Sequence, residues 1–164
     1  MKYIKASSDM SEVIYNILHT TIKTIYSKYY PKEVVDFFCN HHCREHILEG
    51  IASGNMGVLL KDDTIVGTGC FESNHITGVY VLPAYHKQGC GSYIMDCLET
   101  EIAKKYDKAV LDASLSAVLL YEHRGYKTVG HGIYNLKNDV KLVYEIMEKI
   151  LSAASKKSSP KAVL

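Results

Sequence analysis

Two closely spaced glycines in the stretch His86-Lys87-Gln88-Gly89-Cys90-Gly91-Ser92 have the spacing of an anion site. The apolar run Ile76–Leu82 before them reads as a strand, and the run from Ser92 to Tyr106 after them reads as a helix. A glycine turn at a strand-to-helix junction leaves several backbone N–H groups free at a helix N-terminus. Those donors and the helix dipole suit a phosphate. Without Cβ atoms, Gly89 and Gly91 let a pyrophosphate approach the backbone closely. Glycines also mark ordinary tight turns, so spacing alone leaves both readings open.

A second group with chemical potential is Cys39, His41, His42, Cys43 and His46. On one continuous helix, His42 and His46 share a face, as do Cys39 and Cys43. The two pairs point in different directions, and no second cluster has zinc-finger spacing, so no metal is expected. A metal-dependent interaction domain built on this cluster is nevertheless one alternative function. Cysteine beside Phe38 also fits a small core residue. Cys90, inside the glycine turn, has the setting of a low-pKa thiol at a helix N-terminus.

The glycine turn resembles motif A of the GNAT (GCN5-related N-acetyltransferase) family, Gln/Arg-x-x-Gly-x-Gly/Ala after a strand. The preceding Ile76-Thr77-Gly78-Val79-Tyr80-Val81-Leu82-Pro83-Ala84-Tyr85 is similar to the family's strand, proline and aromatic. His86 departs from the family's Gln or Arg. Downstream, Ser116-Ala117-Val118-Leu119-Leu120-Tyr121-Glu122-His123-Arg124-Gly125-Tyr126 resembles motif B, a short tyrosine-bearing helix ending at glycine and an aromatic. The two motifs stand in family order with one βαβ unit between them. The resemblance covers about residues 50–150 and reaches the first fifty only in outline.

The resemblance implies acetyl-CoA as co-substrate and a primary amine as acceptor, either a small molecule or a protein amine. It assigns the carbonyl-polarising N–H to Val79 and pairing with the pantetheine arm to Val81, with Tyr80 between them. The pyrophosphate cradle falls on His86, Lys87, Gln88, Gly89, Cys90, Gly91 and Ser92. Ser116 is a cofactor contact or a helix cap. Tyr121 falls near the cofactor sulfur, where a phenol of pKa near 10 can donate to a thiolate of pKa about 8.5. The alternative is a tyrosine that packs beside Tyr126. Some relatives carry a catalytic base eleven residues before motif A, which here is His75. Glu72 or a water chain are the alternatives, and His75 also fits a strand start without a role. Glu33, Asp36, Glu45 and Glu49 lie where the family covers its acceptor, and they equally fit solvated helix faces. A non-catalytic acyl-CoA-binding or sensing module is the competing class of function. The resemblance also allows a homodimer.

Elements must hold these residues in place. Residues 2–6 read as a strand, and Ser8-Asp9-Met10-Ser11 offers N-capping side chains. Val13, Ile14, Ile17, Leu18, Thr21, Ile22 and Ile25 recur at helical spacing, which predicts a helix to about Tyr29. Pro31 suits the first turn of the next helix. Val34, Val35, Phe37, Phe38, Ile47, Leu48 and Ile51 predict one or two short helices, ended by Ser53-Gly54-Asn55. Strands over Met56–Leu60 and Thr64–Glu72 flank a hairpin turn at Lys61-Asp62-Asp63. Asn74–Leu82 is the next strand, followed by the glycine turn and its helix. Then come a buried strand Ala109–Ala113, a helix Ser114–His123, and a closing strand pair over 127–135 and 140–148. Residues 1–151 read as one domain, and the small, polar tail 152–164 reads as disordered. The order implies an α/β (mixed α+β) sheet with helices on both faces. The resemblance adds splayed central strands, as in the GNAT acyl-CoA N-acyltransferase fold.

Composition narrows the partners. The 164 residues are 47% hydrophobic and 23% charged, as in ordinary globular proteins. A net charge of +1 gives no field for nucleic acid. No apolar run is long enough for a membrane span. No signal-peptide segment follows Met1. Five cysteines without framework spacing suit the reduced thiols of a cytoplasmic protein.

Overall fold

A computed structural model describes residues 1–151, so the expectation for the tail lies outside the described residues. Seven strands form one sheet: β1 Lys2–Lys5, β2 Met56–Lys61, β3 Thr64–Glu72, β4 His75–Val81, β5 Lys108–Ser114, β6 Lys127–Asn135 and β7 Lys141–Ile150. Their order across the sheet is β1-β2-β3-β4-β5-β7-β6. Among the described residues the α-helices are α1 Ser11–Ile25, α2 Lys32–His41, α3 Arg44–Ala52, α4 Cys90–Ala103 and α5 Val118–His123.

Helices cover both faces, as the apolar patterns require. Ile14, Ile17, Leu18 and Ile22 of α1 pack with Ile47 of α3 against Val58 and Tyr80. On the other face, Ile94, Met95, Leu98 and Ile102 of α4 pack against Leu59, Val66, Ile76 and Leu111. Gly69 lets α4 lie close to β3, because a Cβ there would come within 2.5 Å of Ile94 Cγ2.

One pairing differs from the rest. β4 and β5 are parallel and pair only at His75–Val110 and Ile76–Leu111. Beyond those positions the strands part, while β3 keeps pairing with β4 as far as Val81, and β7 keeps pairing with β5 as far as Ser114. The sheet therefore splits into two halves with a wedge between them, the splay that the resemblance implies. A bulge lies beside the split. Cys70 pairs with Gly78 and Phe71 with Ile76, so Thr77 is the extra residue on β4. The bulge shifts the alternation by one, so that Ile76, Val79 and Val81 all face the α4 core.

Several local expectations need correction. The predicted capping residues Ser8–Met10 instead form a 3-10 turn, and α1 starts without a side-chain cap. α1 stops at Ile25, where a second 3-10 turn, Tyr26–Lys28, takes over. Pro31 sits one position before the first turn of α2, with φ −65° and ψ 164°. α4 starts at Cys90 and ends at Ala103 rather than running from Ser92 to Tyr106. Ser114, assigned to a helix, closes β5, and α5 begins at Val118. Asp62 and Asp63 have φ of 49° and 61°, the paired positive values that a tight hairpin turn demands.

Candidate active site

The wedge opens into a cleft of about 830 Å³. Its two ends differ in chemistry.

At one end, the chain leaves β4 through a short 3-10 turn, Pro83–Tyr85, and enters α4 through the glycine turn. Gly89 has φ 80° and Lys87 has φ 58°, two left-handed residues that reverse the chain within a few positions. A Cβ at Gly89 or Gly91 would meet nothing within 4 Å, so the space before the turn is open. The next N–H in the chain, that of Tyr93, donates to the Gly89 carbonyl at 2.9 Å. Among the described residues, none of the N–H groups of residues 87–92 has a backbone acceptor. Such a ring of unpaired donors at the N-terminus of a 14-residue helix is a cradle for a phosphate. Gln88 braces the turn from outside, donating to the Ala84 carbonyl at 2.9 Å and accepting from Lys61 Nζ.

His86, the departure from motif A, ties the turn to the strand. Its Nε2–H donates to the Val81 carbonyl at 2.8 Å, which fixes the tautomer, since a carbonyl only accepts. Thr21 Oγ1 donates to the same carbonyl at 3.1 Å. The Leu82 N–H donates back to Val66 on β3 at 2.9 Å. Strand alternation then turns the Tyr80 N–H toward β3 and those of Val79 and Val81 toward the wedge. With the Val81 carbonyl already satisfied twice, only its N–H is free on that side. Tyr80, grouped with the cofactor contacts by position, lines the cleft. Its ring faces α1, and its hydroxyl is hydrogen-bonded to His42 Nε2 at 2.9 Å.

Tyr121 and Ser116 come to the same cleft from α5 and the loop before it. The Tyr121 ring meets Tyr126 edge-on at 5.8 Å, so the packing alternative describes its ring correctly. Its hydroxyl has no hydrogen-bond partner among the described residues, and the side chain lines the cleft. Burial pushes the phenol up to about 12, so it stays protonated at neutral pH. Ser116 Oγ lies 3.1 Å from Ser114 Oγ and caps no helix.

The other end is aromatic. Tyr26 and Tyr29 follow α1, Phe37 and Phe38 come from α2, and Tyr134 and Tyr144 come from β6 and β7. His42 lies here too, held well below the usual imidazole range, at about 4, chiefly by burial and then by His41, so it is neutral.

His75 does not line the cleft. It stands at the first paired position of β4, with Nε2 3.5 Å from Asp112 Oδ2. Asp112 does line the cleft, one residue beyond the last β4–β5 pair. Sequence reading missed Asp112. Its signal was a lone carboxylate between the buried Leu111 and Ala113 of a strand, which alternation sends to the opposite face. Glu72, Glu33, Asp36, Glu45 and Glu49 do not line the cleft. Asp36 pairs with Lys32, Glu33 accepts from Asn138 at 3.3 Å, and Glu49 lies 3.9 Å from His46.

The helical pairing imagined for the Cys/His cluster fails because α2 ends at His41 and α3 begins at Arg44. His42 turns inward to Tyr80, while His46 Nδ1–H donates to the His41 carbonyl at 2.7 Å. Among the described residues, no three His, Cys, Asp or Glu side chains converge to hold a metal. All five cysteines are free, and Cys90 is buried against the α4 core.

A family model described as an acetyltransferase (GNAT) domain matches residues 25–143. Among solved structures, a GCN5-related N-acetyltransferase from Rhodopseudomonas palustris superposes with a TM-score of 0.83 at 20% identity, over 91% of this chain and 94% of that one. The PaiA N-acetyltransferase of Thermoplasma acidophilum, in complex with coenzyme A, gives 0.69 at 17% identity over 91% and 98%. YncA of Salmonella typhimurium, a putative acetyltransferase with acetyl-CoA, gives 0.67 at 16% identity over 99% of both chains. No curated protein matches the chain in sequence. A strand pair that parts beside a bulge, a glycine turn feeding a helix, and a family match over most of the chain have one common reading: the chain belongs to the GNAT acetyltransferase family.

Proposed function

We propose that this chain is an acetyl-CoA-dependent N-acetyltransferase, working as one domain over residues 1–151, that moves an acetyl group to a primary amine by direct attack in a ternary complex. The observation that carries the reading is the cradle of unpaired amides at residues 87–92, opening onto the wedge between β4 and β5. The coenzyme A and acetyl-CoA complexes of two structural neighbours support it. A cytoplasmic location fits the five free cysteines. No described helix is long and apolar enough to cross a membrane.

When bound, acetyl-CoA supplies the thioester carbonyl and the thiolate leaving group. In this reading the amides of Lys87 to Ser92 hold the pyrophosphate and the Val81 N–H holds the pantetheine arm. The Val79 N–H donates to the carbonyl oxygen, where negative charge grows as the amine attacks. His86 is a positioning residue that fixes the Val81 carbonyl. The ammonium first gives one proton through Asp112 to the imidazole of His75. The free amine then attacks, the C–N bond forms, the C–S bond breaks, and the second proton shed by the nitrogen goes to the departing thiolate, leaving the thiol.

Tyr121 faces the departing sulfur. Giving its proton away from a pKa of about 12 to a thiolate near 8.5 is uphill by roughly 5 kcal/mol. The phenol therefore keeps its proton and stabilises the sulfur by a hydrogen bond. A hydrogen bond to a charged group is worth about 1.5–3 kcal/mol. Tyr121→Phe should accordingly lower kcat by about 10–100-fold with acetyl-CoA affinity unchanged. Full turnover in that variant removes the role.

His75→Ala tests the proton route. At neutral pH the amine arrives as ammonium, so kcat/KM should fall by about 10²-fold or more. The loss should shrink as pH rises toward the amine's own pKa of about 10, because free amine then needs no base. A deficit that is constant with pH would count against His75 as the proton acceptor. The reading as a whole is tested by thiol release from acetyl-CoA in the presence of a panel of primary amines.

A further inference from the structure

The aromatic end of the cleft has a definite order on the sheet face opposite α4. Asp112 pairs with Ile146, Ser114 with Tyr144, and Tyr144 in turn with Gly132. Leu142 pairs with Tyr134. Directly paired residues share a face, so three rows run outward from the split. Asp112 and Ile146 form the first, Ser114 and Tyr144 the second, and Leu142 and Tyr134 the third. Successive rows lie about 7 Å apart, two residues along a strand. The Tyr144 ring lies across Gly132, since a Cβ at that glycine would fall 2.0 Å from Tyr144 Cζ.

The segment from Tyr30 to Phe37 roofs these rows. The Tyr30 hydroxyl accepts from the Leu115 N–H at 2.8 Å. Phe37 meets Tyr134 with ring centroids 5.2 Å apart, and Asn138 Nδ2–H donates to Glu33 at 3.3 Å. The space is therefore shaped for a small molecule lying under a roof.

Its charges are one-sided. The cleft-lining residues with full charges are Asp112, Lys87 and Arg124, joined by His41, His42 and His86. Lys87 belongs to the glycine turn, and Arg124 is held by Asp96 at 2.7 Å and Glu99 at 3.2 Å. At the aromatic end no lysine or arginine lines the cleft, and His42 is neutral. A cation has a partner there in Asp112, and an anion has none.

We infer that the acceptor is a small primary amine on a single apolar, aromatic body without a carboxylate. Its ammonium meets Asp112 and its ring lies over the Ser114–Tyr144 row beneath Phe37. An aryl group two carbons from nitrogen spans one row spacing. The inference rests on the acetyltransferase reading and names the acceptor within it. An α-carboxylate would stand beside the Asp112 carboxylate at an end of the cleft that no lysine or arginine lines, and like-charge juxtaposition disfavours it.

The test compares 2-phenylethylamine with phenylalanine, spermidine and a peptide with a free N-terminus, at saturating acetyl-CoA whose binding is measured separately. Phenylethylamine should have kcat/KM at least about a hundredfold above the other three. Asp112→Asn should raise its KM about tenfold and, since it also cuts the proton route to His75, lower kcat, with acetyl-CoA affinity unchanged. Tyr134→Ala should raise KM for phenylethylamine and leave that for propylamine unaltered, which keeps the test open if Asp112→Asn fails to fold. Equal or better use of phenylalanine, spermidine or the peptide overturns the inference and leaves the acetyltransferase reading standing. Bound acetyl-CoA with no amine of the panel acetylated also overturns the inference. Failure to bind acetyl-CoA takes down both.

Discussion

Gly91→Val is expected to abolish acetyl-CoA binding while the protein stays folded. Gly91 is the second residue of α4, and its backbone is not left-handed, so a side chain costs no backbone strain. A Cβ there meets no protein atom within 4 Å, so nothing in the fold resists it. The branched side chain would instead fill the open space in front of the unpaired amides, where the pyrophosphate belongs in our reading. Gly89→Val is a poorer probe, because φ of 80° penalises any β-branched residue whether or not a ligand is present. Calorimetric titration with acetyl-CoA, beside a thermal melt of the same sample, separates the two effects. Unchanged affinity in a well-folded Gly91→Val protein contradicts the cradle.

Glu99→Ala should cause the largest loss of stability. Glu99 is 7% exposed and lies on α4 among the apolar residues of that core. Its carboxylate accepts from Lys149 Nζ at 2.7 Å, the Tyr126 hydroxyl at 3.1 Å and Arg124 Nη2 at 3.2 Å. This one group ties α4 to the turn after α5 and to β7. Removing it strands two partly buried cations and a buried phenol, and Asp96 remains to pair only Arg124. Breaking a buried pair from one side costs about 3–5 kcal/mol. A melting temperature lower by on the order of 10 °C is the expected result. A shift within a degree or two would show that the network contributes little. The same loss should loosen α5 and with it Tyr121, so turnover should fall even below the melting transition.

Local signals carried much of this fold. The bounds of β3 and β6 follow from alternation and turn residues, and Asp62-Asp63 announces its hairpin because few other residues tolerate paired positive φ. The glycine turn was legible for the same reason: backbone geometry there depends on residue type. What the sequence did not reveal depends on distant pairing. Nothing local in His75–Val81 says that β5 will leave after Ile76; only the family resemblance implied a splay. The bulge at Thr77 reverses the faces of the residues before it, so a count along the strand misjudges which side chains reach the cleft. His75 is the consequence: counting from motif A placed it as the base, yet it reaches the cleft only by way of Asp112. Asp112 escaped notice because its importance comes from standing just beyond the split. The Cys/His cluster misled in the opposite direction. Its spacing suggested shared helix faces, but the chain breaks between α2 and α3 at the residues that would have shared them.

The central claim is that the wedge between β4 and β5 holds acetyl-CoA and passes its acetyl group to an amine. Incubation of the purified protein with acetyl-CoA and a primary amine, followed by mass spectrometry of the amine together with thiol titration, tests it most directly. Our account predicts acetylated amine and free thiol in equal amounts, both lost in Gly91→Val. Thiol release that does not depend on the amine, or acetyl-CoA bound and recovered intact with every amine offered, would contradict it.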